Sequence, residues 1–168
     1  MLETERLYFR PYTEDDLDFL LSMSSDQQVM KYIGNGSVWT EEETEERLHR
    51  FIAHLHQHGY ALMIAMHKQE ARPIGHAGLI QQLVEGVPET EIGYWISRAY
   101  WGQGLATEAA IGWRQYAQTE LNKQRLISLI HPLNTSSAAV ARKNGMELER
   151  EVIFRSRQVL LYSTSPLV

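Results

Sequence analysis

The sequence contains no cysteine. This excludes a disulfide framework, a thiolate-ligated metal and an acyl-cysteine intermediate, so any acyl transfer by this chain uses another route, with direct transfer to the acceptor the default. Long apolar runs are also missing. The longest, Tyr60 to Met66, falls far short of the roughly 20 residues that cross a bilayer, and no membrane partner is expected. The opening Met1-Leu2-Glu3-Thr4-Glu5-Arg6 has no apolar signal core, which places the protein in the cytoplasm by expectation. Positive charge is in deficit: 16 Lys and Arg stand against 21 Asp and Glu, a formal net charge of −5. That balance argues against non-specific nucleic-acid binding and mildly favours cationic partners. Linkers, repeats and low-complexity segments are absent too. Residues 1–168 therefore read as one domain, long enough to bury about 70% of its unfolded surface.

Apolar periodicity supplies the elements. Arg6 to Tyr12, closed by Pro11, reads as a first strand. Thr13, with Asp16 at the third helical position, opens a helix whose Leu17, Leu20 and Leu21 share one face. The Gly- and Asn-rich stretch 33–39 reads as a loop before Thr40, which with Glu43 makes a capping box for a helix burying Leu48, Phe51, Ile52 and Leu55 and ending at Gly59. Tyr60–Met66, Pro73–Val84 and Thr90–Ile96 form an antiparallel meander, the last two joined through a turn at 85–89. A helix from about Leu105 to Asn122, a short strand Arg125–His131, a helix capped by Asn134 or Thr135 and ended by Gly145, and two strands at 147–153 and 157–163 complete the chain. The expected fold is α/β (α+β): about seven strands and about four helices.

The chain turns on residues 98–110, where a strand runs into Trp101-Gly102-Gln103-Gly104-Leu105-Ala106-Thr107 and then a helix. Gly102 and Gly104 clear side chains from a ligand's approach, and the first-turn N–H groups of the helix lack intrahelical partners, which suits a pyrophosphate. A P-loop would need Gly-Lys-Ser/Thr, and no lysine lies between Lys68 and Lys123. A dinucleotide fingerprint would need Gly or Ala where Thr107 stands.

The turn resembles the acyl-CoA signature of the GNAT superfamily of N-acetyltransferases, Arg/Gln-x-x-Gly-x-Gly/Ala, with Trp101 departing from its first position. Tyr100-Trp101-Gly102-x-Gly104-x-Ala106-x-Glu108-Ala109 is similar to the branch of ribosomal-protein N-terminal acetyltransferases. The opening Leu2 to Leu7 and Asp16-Leu17 also resembles that branch. A second match is Asn134, Ser137, Lys143 and Gly145 in the pattern Asn-x-x-Ser-x-x-x-x-x-Lys-x-Gly-Phe, with Met146 in place of phenylalanine. The resemblance implies a mixed, mostly antiparallel, twisted sheet that splays between its fourth and fifth strands. It also implies acetyl-CoA as co-substrate with no metal, and a primary amine as acceptor: a protein or peptide N terminus, or else a polyamine or aminoglycoside. A monomer or homodimer is expected, and a non-catalytic acyl-CoA-binding module is the alternative outside enzymes.

By that resemblance Tyr94, Trp95 and Ile96 pair with pantetheine, Gly102, Gln103, Gly104, Leu105, Ala106 and Thr107 hold the pyrophosphate, Asn134 contacts the cofactor and Ser137 lies near its sulfur. Asn134 also suits a simple cap, and Ser137 a solvent-facing position. The tyrosine that many superfamily members carry as general acid is Ala141 here, which leaves Ser137 to fill the role. Glu91 is the candidate base, with His76 as a weaker choice and plain exposure or packing as the alternatives. Trp39 is either part of the acceptor wall or a hydrophobic staple before Thr40. His54 and His58 stand at i, i+4, but no carboxylate or cysteine accompanies them, so a solvated face is expected rather than a metal site.

Overall fold

A computed structural model describes residues 2–165. Seven strands form one sheet: β1 (Leu7–Arg10), β2 (Leu62–His67), β3 (Arg72–Val84), β4 (Val87–Ile96), β5 (Ile127–Ile130), β6 (Glu147–Phe154) and β7 (Arg157–Ser163). Their spatial order is β1-β2-β3-β4-β5-β7-β6, antiparallel throughout except between β4 and β5. The helices are α1 (Leu17–Ser24), α2 (Gln27–Met30), α3 (Glu41–His58), α4 (Leu105–Thr119) and α5 (Thr135–Lys143), with 3₁₀ turns at Glu14–Asp16 and Arg98–Tyr100. Five α-helices replace the four expected, because α2 is a single turn capped by Asp26 and carries no apolar period. The β3–β4 turn is tighter than expected. Its two residues are Glu85 and Gly86, and Pro88 already lies in β4 opposite Leu83.

Helices cover both faces of the sheet. On one, Phe9, Ala77, Leu79 and Ile92 meet Leu105, Ala109, Ala110, Trp113 and Ala117 of α4; Phe9 and Trp113 pack edge to face at 5.4 Å. Small residues at the start of α4 let it lie close to the strands. On the other face, Leu20 and Met23 of α1 and Leu48 of α3 pack on Ile64 and Met66, each side chain contributing about 1.5–3 kcal/mol by burial. The α3 cap forms as the Thr40/Glu43 spacing predicts. Thr40 Oγ1 accepts from Glu43 N at 3.1 Å, and Glu43 Oε2 accepts from Thr40 N at 2.8 Å. Among the described residues no helix is long and apolar enough to cross a membrane.

Candidate active site

β4 and β5 are parallel neighbours joined by a single pair, Glu91 with Ile127, reinforced by the Ser128 hydroxyl donating to the Ile92 carbonyl at 2.9 Å. Beyond that pair the strands diverge. β4 continues to Ile96 and the turn before α4, while β5 gives way to α5. The opening is a cavity of about 610 Å³. Tyr94, Trp95 and Ile96 line one wall, Gly102, Gly104, Leu105, Ala106 and Thr107 its end, Asn134 and Ser137 the other wall, and Gln28, Val29, Lys31, Tyr32 and Ile33 its roof.

The turn at the end of the cavity is built from two left-handed glycines, Gly102 at φ +75° and Gly104 at +77°. A side chain at either would strain the backbone by about 1–2 kcal/mol. Trp101 replaces the basic residue of the signature and braces the turn, since its indole N–H donates to the Ile96 carbonyl at 2.7 Å and ties it to the end of β4. From behind, Arg6 donates to the Gln103 carbonyl at 2.9 Å and pairs with Glu108 at 2.6 Å, while Thr4 and the Arg6 amide also donate to Glu108. The Gln103 carbonyl is therefore turned toward Arg6, and Gln103, unlike its neighbours Gly102 and Gly104, does not line the cavity. The cradle fits a pyrophosphate: glycine-lined, at the positive end of a helix of 15 residues, with Lys143 at the rim.

Across the gap, Ser137 Oγ donates to the Tyr94 phenol at 3.2 Å, and Tyr94 donates to the Ser137 carbonyl at 3.0 Å. Burial pushes the Tyr94 hydroxyl up to about 12, so it stays protonated. Asn134 does cap α5, accepting from Ser137 N at 3.1 Å, and it also lines the cavity.

Side chains alternate along β4, so Glu91 and Trp95 belong to the opposite face from Tyr94. Trp95 packs in tilted contact with His76 at 4.6 Å and with Trp39 at 5.3 Å. Trp39 thus joins the wall beside β4. His76 is fully buried and bonded to Tyr12 at 2.8 Å, and burial drops its pKa to about 3, which makes it a packed neutral ring and not a base near neutral pH. Glu91 accepts from Gln82 at 2.7 Å. As a residue it is half-buried, yet burial of its carboxyl is the largest influence on its pKa and raises it, with Gln82 and the Leu129 amide opposing. Glu91 does not line the cavity; it lies at the apex of the split. His54 is occupied in accepting the Gln81 amide at 3.2 Å and stacks on His58 at 4.4 Å.

Residues 6–147, which hold both motifs and the whole split, match the family described as Acetyltransferase (GNAT) domain. The chain belongs to the GNAT family. It is similar to the uncharacterized N-acetyltransferase p20 of Bacillus licheniformis, 30% identical over 155 residues that cover 92% of this chain and 85% of p20. The ribosomal-protein-serine acetyltransferase of Escherichia coli is 34% identical over 116 residues, 67% of this chain and 61% of that protein. Among solved structures, an acetyltransferase from Agrobacterium tumefaciens superposes with a TM-score of 0.83 at 27% identity, covering 96% of this chain and 92% of that one. The GNAT fold and its splayed strands are those expected from the glycine turn and the α5 motif, and the chain is an acetyl-CoA-dependent acyltransferase.

Sequence reasoning missed the cavity roof, Gln28, Val29, Lys31, Tyr32 and Ile33. Its one signal was Lys31-Tyr32 beside a short cap, too brief for periodicity to register. Tyr32 reaches His131 at 5.0 Å, spanning from the roof to the segment after β5.

Proposed function

We propose that this GNAT enzyme, acting as one domain, transfers the acetyl group of acetyl-CoA to the α-amine of a protein or peptide N terminus, directly and without an acyl-enzyme. Acetyl-CoA supplies an acyl carbon activated by a thiol leaving group. The observation that carries the proposal is the convergence of Tyr94, Ser137 and the Gly102–Gly104 turn on one cavity, with Glu91 at its apex. The acceptor nitrogen forms its bond to the acyl carbon as the carbon–sulfur bond breaks. Glu91 takes the ammonium proton through water and releases it to solvent. The Ser137 hydroxyl, oriented by Tyr94, turns its proton toward sulfur as the bond breaks and recovers a proton from solvent.

Proton supply favours the α-amine. With a pKa near 7.7–8.0 it is partly neutral at pH 7, whereas a lysine-like amine near 10.4 is roughly a few hundredfold scarcer in that form, a difference of about 3.5 kcal/mol. One carboxylate base suits the easier acceptor. Similarity in name to a ribosomal-protein-serine acetyltransferase supports the same choice, while likeness to an aminoglycoside acetyltransferase, AAC(6')-Ib, at 18% identity reflects the fold alone. The test measures thiol release with N-terminal peptides, polyamines and aminoglycosides. Peptides should lead, with sequential kinetics; dominance of polyamines, or ping-pong kinetics with protein acetylation, would reverse the reading.

A further inference from the structure

The wall beyond Trp95 carries two guanidinium groups that no acceptor among the described residues hydrogen-bonds. Arg47 of α3 is half-buried and lies over the Trp39 ring at 5.2 Å, and among the described residues no acceptor lies within hydrogen-bond reach of its guanidinium. Its neighbouring carboxylates Glu43 and Glu46 act on it through their charge alone, because Glu43 caps Thr40 and Glu46 pairs with Arg50 at 3.5 Å. Arg155, on the exposed turn between β6 and β7, rests over Phe154 at 5.0 Å and likewise has no acceptor among the described residues. That turn is drawn to the same wall, because Arg157 donates to the Gly34 carbonyl in the loop leading to Trp39. Arg155 is close enough for its charge to act on both Arg47 and Glu91.

A partly desolvated guanidinium beside another positive charge is costly unless an anion answers it. We propose that the hydrogen-bonding carboxylate both guanidinium groups lack belongs to the acceptor: a peptide whose second or third residue is acidic, its carboxylate paired with Arg47 and Arg155 and its backbone laid over Trp39 and Trp95. The inference rests on the acceptor class proposed above. The spacing sets the position. From the Trp95 ring, which borders the cavity, to Arg47 is two steps of 5.3 and 5.2 Å, a path that about three extended residues at about 3.3–3.6 Å each cover at its fullest extent. Polyamines and aminoglycosides would set their own cations against the two arginines.

The experiment compares N-terminal peptides identical except for aspartate, asparagine or lysine at positions 2 and 3. It reads kcat/KM for acetylation and, separately, peptide affinity by calorimetry with the protein saturated in CoA. A charge-assisted pair predicts roughly tenfold or greater preference for aspartate over asparagine in both readouts, with lysine last. Arg47→Gln should bring the aspartyl peptide down to the asparaginyl level. Arg155→Glu, at an exposed turn where folding is not at stake, should move the preference toward lysine. Equal rates for aspartyl and asparaginyl peptides, or a preference that survives both substitutions, overturns the inference while leaving N-terminal acetylation standing. Failure to acetylate any of the peptides overturns the acceptor class and this inference with it.

Discussion

The Ser137 hydroxyl lies 3.2 Å from the phenolic oxygen of Tyr94, and the two side chains come from elements that face each other across the parted strands. Ala141 stands where many superfamily members carry a tyrosine, yet a tyrosine hydroxyl reaches this part of the cavity from β4 instead. Ser137→Ala should lower turnover by about ten- to a hundredfold, a contribution of the size general acid catalysis makes, with acetyl-CoA affinity changed far less. Tyr94→Phe should show a smaller fall of the same kind. Because Tyr94 titrates only near 12, its loss should leave the alkaline limb of the rate profile below pH 10 where it was. Steady-state kinetics against pH, with calorimetric affinity, checks all three. Unaltered turnover in Ser137→Ala would return the residue to its helix surface.

Gly104→Val should weaken acetyl-CoA binding at least tenfold in a folded protein. The position demands φ of +77°, and the nearest atom to an added Cβ is Arg6 Nη2 at 3.7 Å. Backbone strain and obstructed approach therefore act before any core clash. The strain of about 1–2 kcal/mol should lower Tm by only a few degrees. Calorimetry together with a melting curve separates the two effects.

Glu91 links activity and stability in opposite directions. Its folded pKa is raised from the ordinary 4.5, so the stability it contributes is fully present below pH 4.5 and is lost as pH rises through the folded value. Glu91→Gln should therefore melt higher than wild type at pH 7–8, with the gap closing in acid. The same variant should lose rate most below the pKa of the acceptor amine and recover as the pH rises and the amine deprotonates unaided. A defect of constant size from pH 6 to 10 would remove Glu91 from the base role.

The Arg6–Glu108 pair holds the turn from behind. Burial alone would raise the Glu108 pKa, but hydrogen bonds from Thr4, the Arg6 amide and the Arg6 guanidinium outweigh it and hold the carboxyl below its usual range. The stability this network supplies is thus present above pH 4.5 and lost as pH falls through the folded value. Glu108→Gln should cost about 1–3 kcal/mol at neutral pH, a difference that shrinks in acid. Arg6→Ala should raise KM for acetyl-CoA more than it lowers kcat, since it frees the Gln103 carbonyl without touching Tyr94 or Ser137.

Signals that act along the chain were legible. Thr40 and Glu43, three residues apart, make the α3 cap; the small-residue stripe of α4 and the two glycines of its turn stand where spacing put them. What depends on contact through space was not. Tyr94 could be assigned to a strand beside a cofactor, but its bond to Ser137 joins residues 43 apart in sequence. Glu91 and His76 looked alike as strand-borne candidates. The structure separates them by surroundings that no local pattern encodes: an amide donor and the end of a strand pairing for one, a fully enclosed aromatic pocket for the other. Trp39 satisfied two local patterns, and neither foretold the contact with Trp95 that sets it beside β4.

The single pair between Glu91 and Ile127 leaves β4 with an unpaired stretch in the middle of a seven-stranded sheet. Free edges at the rim of a sheet invite other chains to stick. This one is recessed between α4, α5 and the roof of the cavity, and only something as thin as a single extended molecule can reach it. The backbone amides between Tyr94 and Ile96 that face the gap should therefore exchange with deuterium at the pace of a surface loop, although they belong to a strand whose other side is continuously paired to β3. Protection that appears there only when the gap is filled would give each ligand a footprint readable without any turnover.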